Sequence, residues 1–474
     1  MTIDIETPNS PGWWLAKLDK KRVGRLKRLN LLHSYHIGDP PLPTNVETAR
    51  ESFREFLKTA RTNYADVLVG SVAERITVRD IRTALSGEEV DVEAQRIWKE
   101  NGLDVEFADV IENMLALGDS FMMVGKDSDS DELIVTGEDP RQVVTIHNPV
   151  KQSEIRAASK TFHDPDEGKD YIFLFIKGQW DEEANAFGPA MRYVASRKSK
   201  GSPRGPLFSK SSWSWDEDFG GAAGEPLPHS LVPVVRFRNR RGVGEFEPHL
   251  DLLNRINDTV YQRMVITLYQ AFKQRVVHMD EDEDDEDDGE DGSGAEKLTL
   301  DDVLTSDPGS WIQLPKDATI WESTQADLNG ILSAIKDDVK QLAAVTRRPL
   351  SILAPDNQSA TGASFTREGL TFATEDKMTR AAQALRDLFY LIFLTLEDTE
   401  RADRSKIIIG WMPTERHSLS DMYSAVAQAQ GSMAKRTIWR EILQKTPEEI
   451  RQLAAELADE MLLAEDLNAP ANTA

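Results

Sequence analysis

EPHLDLLNRINDTVYQRMVITLYQAFKQRVVHM, residues 247–279, and QADLNGILSAIKDDVKQLAAVT, residues 325–346, decide the fold of this chain. The first has no glycine. Its one proline, Pro248, stands at the start, where a helix tolerates a missing N–H. Leu253, Ile256, Val260, Met264, Leu268 and Phe272 recur at three- and four-residue steps, which places them on one helical face. At ~1.5 Å per residue such a helix is about 45–50 Å long. The second stretch repeats the pattern with Leu328, Ile331, Leu332, Ile335, Val339 and Leu342. Two amphipathic rods thus flank an insertion, residues 280–322, which opens with the run Asp280 to Asp291, acidic throughout except for Gly289.

Downstream, Arg347-Arg348-Pro349 ends the second rod and a polar loop passes through Asp356-Asn357-Gln358-Ser359. A third long helix is expected over residues 363–400, kinked at Gly369, then a strand at Ile407–Trp411. In the helical tail, Thr446 suits an N-cap, Pro447 the first helical position and Glu449 a capping box, with Leu453, Leu457 and Met461 on one apolar face. Upstream, Lys17, Lys20, Lys21, Arg22, Arg25, Lys27 and Arg28 share residues 1–36 with Val23, Leu26 and Leu29 at helical spacing. This is read as a solvated helix face in preference to a DNA-binding arm. Asp39 to Pro43 stops regular structure, and helices are expected over residues 49–61, 91–101 and 105–117. Short β-like runs follow at 121–124, 133–135, 143–146, 171–176, 191–195 and 232–237. Between the last two, residues 197–230 read as a Ser-, Gly- and Pro-rich loop anchored by Trp213 and Trp215. The first half is therefore α+β, without βαβ alternation, and the whole is mostly helical.

A length of 474 residues implies two to four structural units. The net charge of −25 argues against a protein that grips nucleic acid by neutralising phosphates, though not against one that lets DNA pass. Cysteine is absent, which excludes disulfides and thiolate chemistry and fits a reducing cytoplasm. No signal-peptide pattern opens the chain, and the longest apolar stretch, Leu388–Leu396, is far short of the ~20 residues of a membrane span. A soluble intracellular protein is expected, with no membrane partner.

Motifs that suggest chemistry fail in detail. Gly242-Val243-Gly244 begins a dinucleotide-type loop, but Glu247 stands at the third glycine position and would repel phosphate. Asp284, Glu286, Asp288 and Gly289 approach calcium-loop spacing, yet Ala295 stands where a bidentate Glu is needed. His33 and His36 lack an evident third ligand and are read as structural. No P-loop, GxSxG or HExxH pattern occurs. No catalytic residue, cofactor or metal is assigned, and a non-enzymatic role is expected.

The combination of segments resembles the portal proteins, or head-to-tail connectors, of long-tailed bacteriophages. Ala116 to Val124 is similar to that family's helix-Gly-strand segment, and Val232 to Arg240, leading through Phe246 to Leu253-Asn254-Arg255-Ile256-Asn257, to its approach to the stem. Gly309 to Pro315 and Leu342 to Pro349 resemble the exit from the clip and the start of the tunnel loop, and Ser359 to Ala363 the loop's end. The resemblance covers about residues 50–400. It implies a portal fold with wing, stem, clip and crown regions assembled as a homo-oligomeric ring, a dodecamer in the capsid. Residues 1–246 would be the N-terminal arm and α+β wing, 247–279 and 323–346 the stem helices, and 280–322 the clip. The tunnel loop would span 347–362, the wing's long helix and strand 363–416, and the helical crown 417–474.

The function so implied is a DNA channel at one capsid vertex of the virion, assembled in the host cytoplasm and serving genome packaging, ejection and tail attachment. The implied partners are double-stranded DNA passing non-specifically, a separate terminase, the major capsid protein, scaffold and head–tail adaptors. Lys336, Lys340, Arg347, Arg348, Asp356, Asn357, Gln358 and Ser359 are assigned to channel and tunnel loop; Asp301, Asp302, Trp311 and Lys316 to partner docking at the clip. Geometry permits the ring: a dozen helices at ~9 Å spacing close a circle about 34 Å across their axes. Subtracting one helix diameter of ~10 Å leaves about 24 Å, wide enough for a duplex. DNA carries one charge per ~1.7 Å, so an acidic ring with isolated cations offers it few deep wells. The alternative is an acidic scaffold protein that binds basic partners through residues 280–291; deleting that run would abolish a scaffold's binding and leave a portal's ring.

Overall fold

A computed structural model describes residues 3–42, 51–87, 89–127, 130–198, 213–271, 275–278, 319–322, 327–354, 360–415 and 418–468. These fall into two units. One comprises residues 1–256 and 338–474, the other residues 257–337.

In the first unit, α1 (Pro11–His36) opens with Ser10 as N-cap and Pro11 in its first turn. Then come α2 (Glu51–Lys58), α3 (Tyr64–Ala73), β1 (Val78–Arg82), α4 (Val92–Glu100) and α5 (Leu103–Leu117). The Asp91 carboxylate accepts from the N–H groups of Glu93 and Ala94, which fixes the start of α4 where the sequence places it. Gly118 ends α5 in the left-handed region at φ 90°.

Two antiparallel sheets follow. β2 (Asp119–Lys126) pairs with β3 (Leu133–Glu138) on one side and with β8 (Val234–Arg238) on the other. The larger sheet runs β4 (Val143–His147), β5 (Ile155–Asp164), β6 (Lys169–Ile176) and β7 (Met191–Lys198), with Ser214–Trp215 beyond β7. Both its faces are buried, because alternate residues along a strand point opposite ways. Val144, Ala157 and Leu174 join Leu15 and Leu18 of α1, with Trp213 and Trp215, in one core cluster. Their neighbours Val143, Ala158 and Phe175 join Phe121 and Val234 in another. The two tryptophans thus anchor their loop as expected. β5, unmarked in the sequence reading, carries Lys160 and His163 among its apolar residues and so lacks clean alternation.

α6 (Leu250–Ala271) passes from the first unit into the second, and α7 (Asn329–Thr346) returns. The first rod is therefore shorter than expected. Its described part runs to Ala271, and residues 275–278 form β9, paired antiparallel with β10 (Thr319–Glu322). Val276 and Val277 are β-branched and favour a pleated strand over a helix end. Back in the first unit lie α8 (Leu350–Leu353), α9 (Ala360–Thr395), β11 (Ile408–Trp411), α10 (Leu419–Ala429) and α11 (Pro447–Asn468). The 36-residue α9 runs unbroken through Gly369. The capping box of α11 forms as read: Thr446 N–H donates to Glu449 Oε2 at 2.8 Å, and Glu449 N–H to Thr446 Oγ1 at 3.3 Å. β11 pairs with β1, tying chain segments more than three hundred residues apart.

The connection from β8 to α6 is packed so closely on the end of α5 that it admits no side chain at Gly244. A Cβ there would lie 2.2 Å from the Ala116 carbonyl oxygen. Gly244→Ala is expected to cost about 1–3 kcal/mol, as overpacked cores do. Urea denaturation of the variant checks this, and an unchanged midpoint would contradict the packing described.

Candidate functional site

The loop of residues 239–247 is where the chain commits to the first rod, and four elements hold it. Asn239 N–H donates to the Gly118 carbonyl at 3.0 Å and Glu245 N–H to the Leu115 carbonyl at 2.8 Å, so the loop closes over the end of α5. The Asn239 side chain accepts from Arg240 N–H at 2.7 Å and donates to the Val243 carbonyl at 2.7 Å. Arg241 and Gly242 both take left-handed backbone conformations, with φ 61° and 68°. Gly242-Val243-Gly244 thus serves as a tight turn and a close approach, not as a phosphate cradle.

At the centre of the loop Glu245 is paired with two buried cations. Its carboxylate lies 2.8 Å from Lys377 Nζ on α9 and 3.1 Å from Arg348 Nη2 just after α7. Lys377 also donates to Asn239 Oδ1 at 2.7 Å. Lys377 and Arg348 are each 5% exposed, deep enough that either charge would be costly alone. Burial by itself would raise the carboxyl of Glu245, but Lys377 and Arg348 outweigh it and hold the group below the ordinary carboxylate range. Burial also lowers the Arg348 guanidinium, against the pull of Glu245. One carboxylate therefore binds the entry to α6, the exit of α7 and the middle of α9.

Helix α1 supplies the fourth hold. Arg28 is paired with Glu247, with Nε–Oε1 at 2.6 Å, and donates to the Gly242 carbonyl at 3.1 Å. Tyr35 Oη donates to Asn254 Oδ1 on α6 at 2.6 Å. Arg25 and Arg236 converge on Asp119, at 2.9 and 2.6 Å, and Lys21 reaches the Thr145 carbonyl at 2.8 Å. This corrects the reading of the basic cluster as a solvated face: Lys21, Arg22, Arg25 and Arg28 are committed to contacts within the chain, Arg22 through Asp19. Beside Arg236, His147 is pushed down to about 4, first by burial and then by that cation.

The residues assigned to the channel from the sequence separate. Arg348 is a correction: it is buried against Glu245 and presents no charge to solvent. Arg347 is exposed and sits in the left-handed region at φ 56°. There it closes α7 in a Schellman arrangement, with Arg348 N–H on the Ala343 carbonyl and Arg347 N–H on that of Ala344. Lys336 and Lys340 are exposed and one turn apart on α7, hence on one face. Asp356, Asn357, Gln358 and Ser359, the clip residues Asp301, Asp302, Trp311 and Lys316, and the acidic run lie outside the described residues. Nothing local in the sequence marks Glu245 and Lys377, whose partners are distant in the chain.

The apolar stripes of the two rods lose their cover along their length. On α6, Ile256 is fully buried but Leu268 is 46% exposed; on α7, Leu342 is fully buried but Leu332 is 38% exposed. Where the rods leave the first unit, Arg255 bridges them through Asp338 at 2.8 Å and Gln341 at 2.6 Å.

Comparison with known proteins gives one family. The model described as "Phage portal protein, SPP1 Gp6-like" matches residues 16–461. Among solved structures, the chain is similar to one described as "Neck of empty GTA particle computed with C6 symmetry", with a TM-score of 0.45 and 11% identity over 82% of this chain and 93% of that one. No curated protein matches.

Glu245→Gln takes the main counter-charge from Lys377 and Arg348, leaving Lys377 only the Asp376 carboxylate at 3.9 Å, and is expected to cost about 3–5 kcal/mol, read by chemical denaturation at neutral pH. Because the folded carboxyl titrates below its unfolded value, its stabilisation is present above about pH 4.3 and fades as pH falls through the folded value. The gap between wild type and variant should therefore narrow in acid. A gap that stays constant with pH would show that Glu245 is not ionised in the fold.

Proposed function

The chain belongs to the phage portal protein family of the SPP1 Gp6-like type, and from that premise we propose that it forms the ring through which double-stranded DNA enters and leaves the capsid. The observation that carries this reading is the uncovered apolar stripe. Leu268 and Leu332 lie on amphipathic helices, yet a single chain leaves them open to water. Packing α6 and α7 against the same helices of neighbouring copies covers such stripes, and rotational symmetry closes the contact into a ring. In this assignment residues 247–279 and 323–346 form the stem and residues 280–322 the clip. Residues 347–362 form the tunnel loop and the helices from 417 onward the crown.

Within the ring, Lys336, Lys340 and Arg347 provide weak, sequence-independent steadying of the duplex. The chain's charge of −25 keeps the passage free of deep electrostatic wells. The work of packaging comes from a separate terminase docked near the clip. The major capsid protein, scaffold and adaptors meet the same ring at the capsid vertex. The protein's own part is structural: it positions, gates and connects.

Replacing residues 356–359 with a rigid linker should leave rings intact by electron microscopy and sharply reduce DNA filling in a packaging assay. Changing Lys336, Lys340 and Arg347 together to Ala should alter packaging and spare assembly. Normal DNA filling in the linker variant would refute the tunnel-loop assignment.

A further inference from the structure

At the C-terminal end of α1, His36 is flanked by two carboxylates from different helices. Nε2 lies 2.8 Å from Glu112 Oε1 on α5, and Nδ1 lies 3.9 Å from Asp66 Oδ1 in the first turn of α3. The ring is nine-tenths buried, and its Nδ1 is a buried atom with no hydrogen-bond partner. One ligand atom from each of the three residues falls within 4.8 Å of the others. His33, paired with His36 in the sequence reading, is not in the group. The ligands come instead from segments that the fold brings together, which spacing could not show.

We propose that His36 and Asp66 bind a divalent cation of borderline character such as Zn²⁺, with Glu112 as the positioning residue. A carboxylate that takes the N–H of one imidazole nitrogen leaves the other as a lone pair and orients it toward a metal, an arrangement common around histidine ligands. Glu112 does this at Nε2, which leaves Nδ1 facing Asp66. Two ligands on one ion at ~2.0–2.2 Å from it stand roughly 3–3.5 Å apart. The 3.9 Å gap therefore closes with a small swing of Asp66, whose side chain is more than half exposed.

Two further features favour a cation. Asn63 donates to the His36 carbonyl at 3.1 Å and accepts from Asp66 N–H at 3.4 Å, so both ligands are held to one another through the backbone. The surroundings are also acidic. The Asp109 carboxyl is pushed up by burial and by repulsion from Glu112 and Glu106, while Glu106 accepts from Gly137 N–H. The nearby Arg141 is paired with Asp139, and Arg61 with Asp39. Water completes the coordination. The ion would pin α1 to α3 one residue beyond Tyr35, the side chain that holds α6.

The test uses the full chain, stripped with EDTA and dialysed against Zn²⁺ in a large excess of Ca²⁺, added to compete for loose binding to exposed carboxylates. Wild type should retain one more Zn²⁺ per chain than His36→Gln or Asp66→Asn. Glu112→Gln should weaken retention about 10–100-fold without abolishing it. Equal retention by wild type and both ligand variants overturns the site. If His36→Gln melts abnormally in EDTA, Asp66→Asn decides alone, since its exposed carboxylate carries little of the fold.

Discussion

A single carboxylate, Glu245, has to serve two buried cations that arrive from two separate downstream segments of the chain. Arg348 comes just after α7 has returned from the second unit, and Lys377 comes from the middle of α9. Removing the carboxylate leaves both cations under-compensated in a low-dielectric site, so the three segments depend on one charge. The rest of the architecture is arranged around this constraint. α5 supplies carbonyls that pin the loop, α1 adds Arg28 and Tyr35, and the glycines at 118 and 244 let the backbones approach. A junction of this kind holds the ends of two long helices at set positions while the helices themselves extend beyond it.

That division explains the gradient of burial along the rods. Near the junction Ile256 and Leu342 are core residues; further out Leu268 and Leu332, at equivalent positions of the same pattern, meet water. A periodic apolar stripe costs solubility where it is bare, so its persistence beyond the covered part argues for another surface that meets it. In the proposed ring that surface is the neighbouring copy.

The rods, the capping box of α11, most strands and the two anchoring tryptophans were legible in the sequence because each rests on local periodicity or capping chemistry. So was the family, through segments such as Ala116–Val124 and Leu342–Pro349. The junction was not legible. Arg348 reads as a solvent-facing cation beside Arg347, and only the fold shows that one is buried against a carboxylate a hundred residues away and the other exposed. The basic cluster of α1 misled in part for the same reason: Lys17, Lys20 and Lys27 are exposed, but Arg25, Arg28 and Lys21 look solvated only until Asp119, Glu247 and the Thr145 carbonyl are placed beside them. β9 was hidden inside a helical pattern because its pairing with β10 is a non-local contact.

Low-resolution electron microscopy of the purified full chain reaches the central claim most directly. The account predicts annular particles with an axial hole wide enough for a DNA duplex, built from about a dozen copies whose long helices line the hole. Solitary particles without an opening, with α6 and α7 closed on one another within each copy and their apolar stripes covered internally, would contradict it.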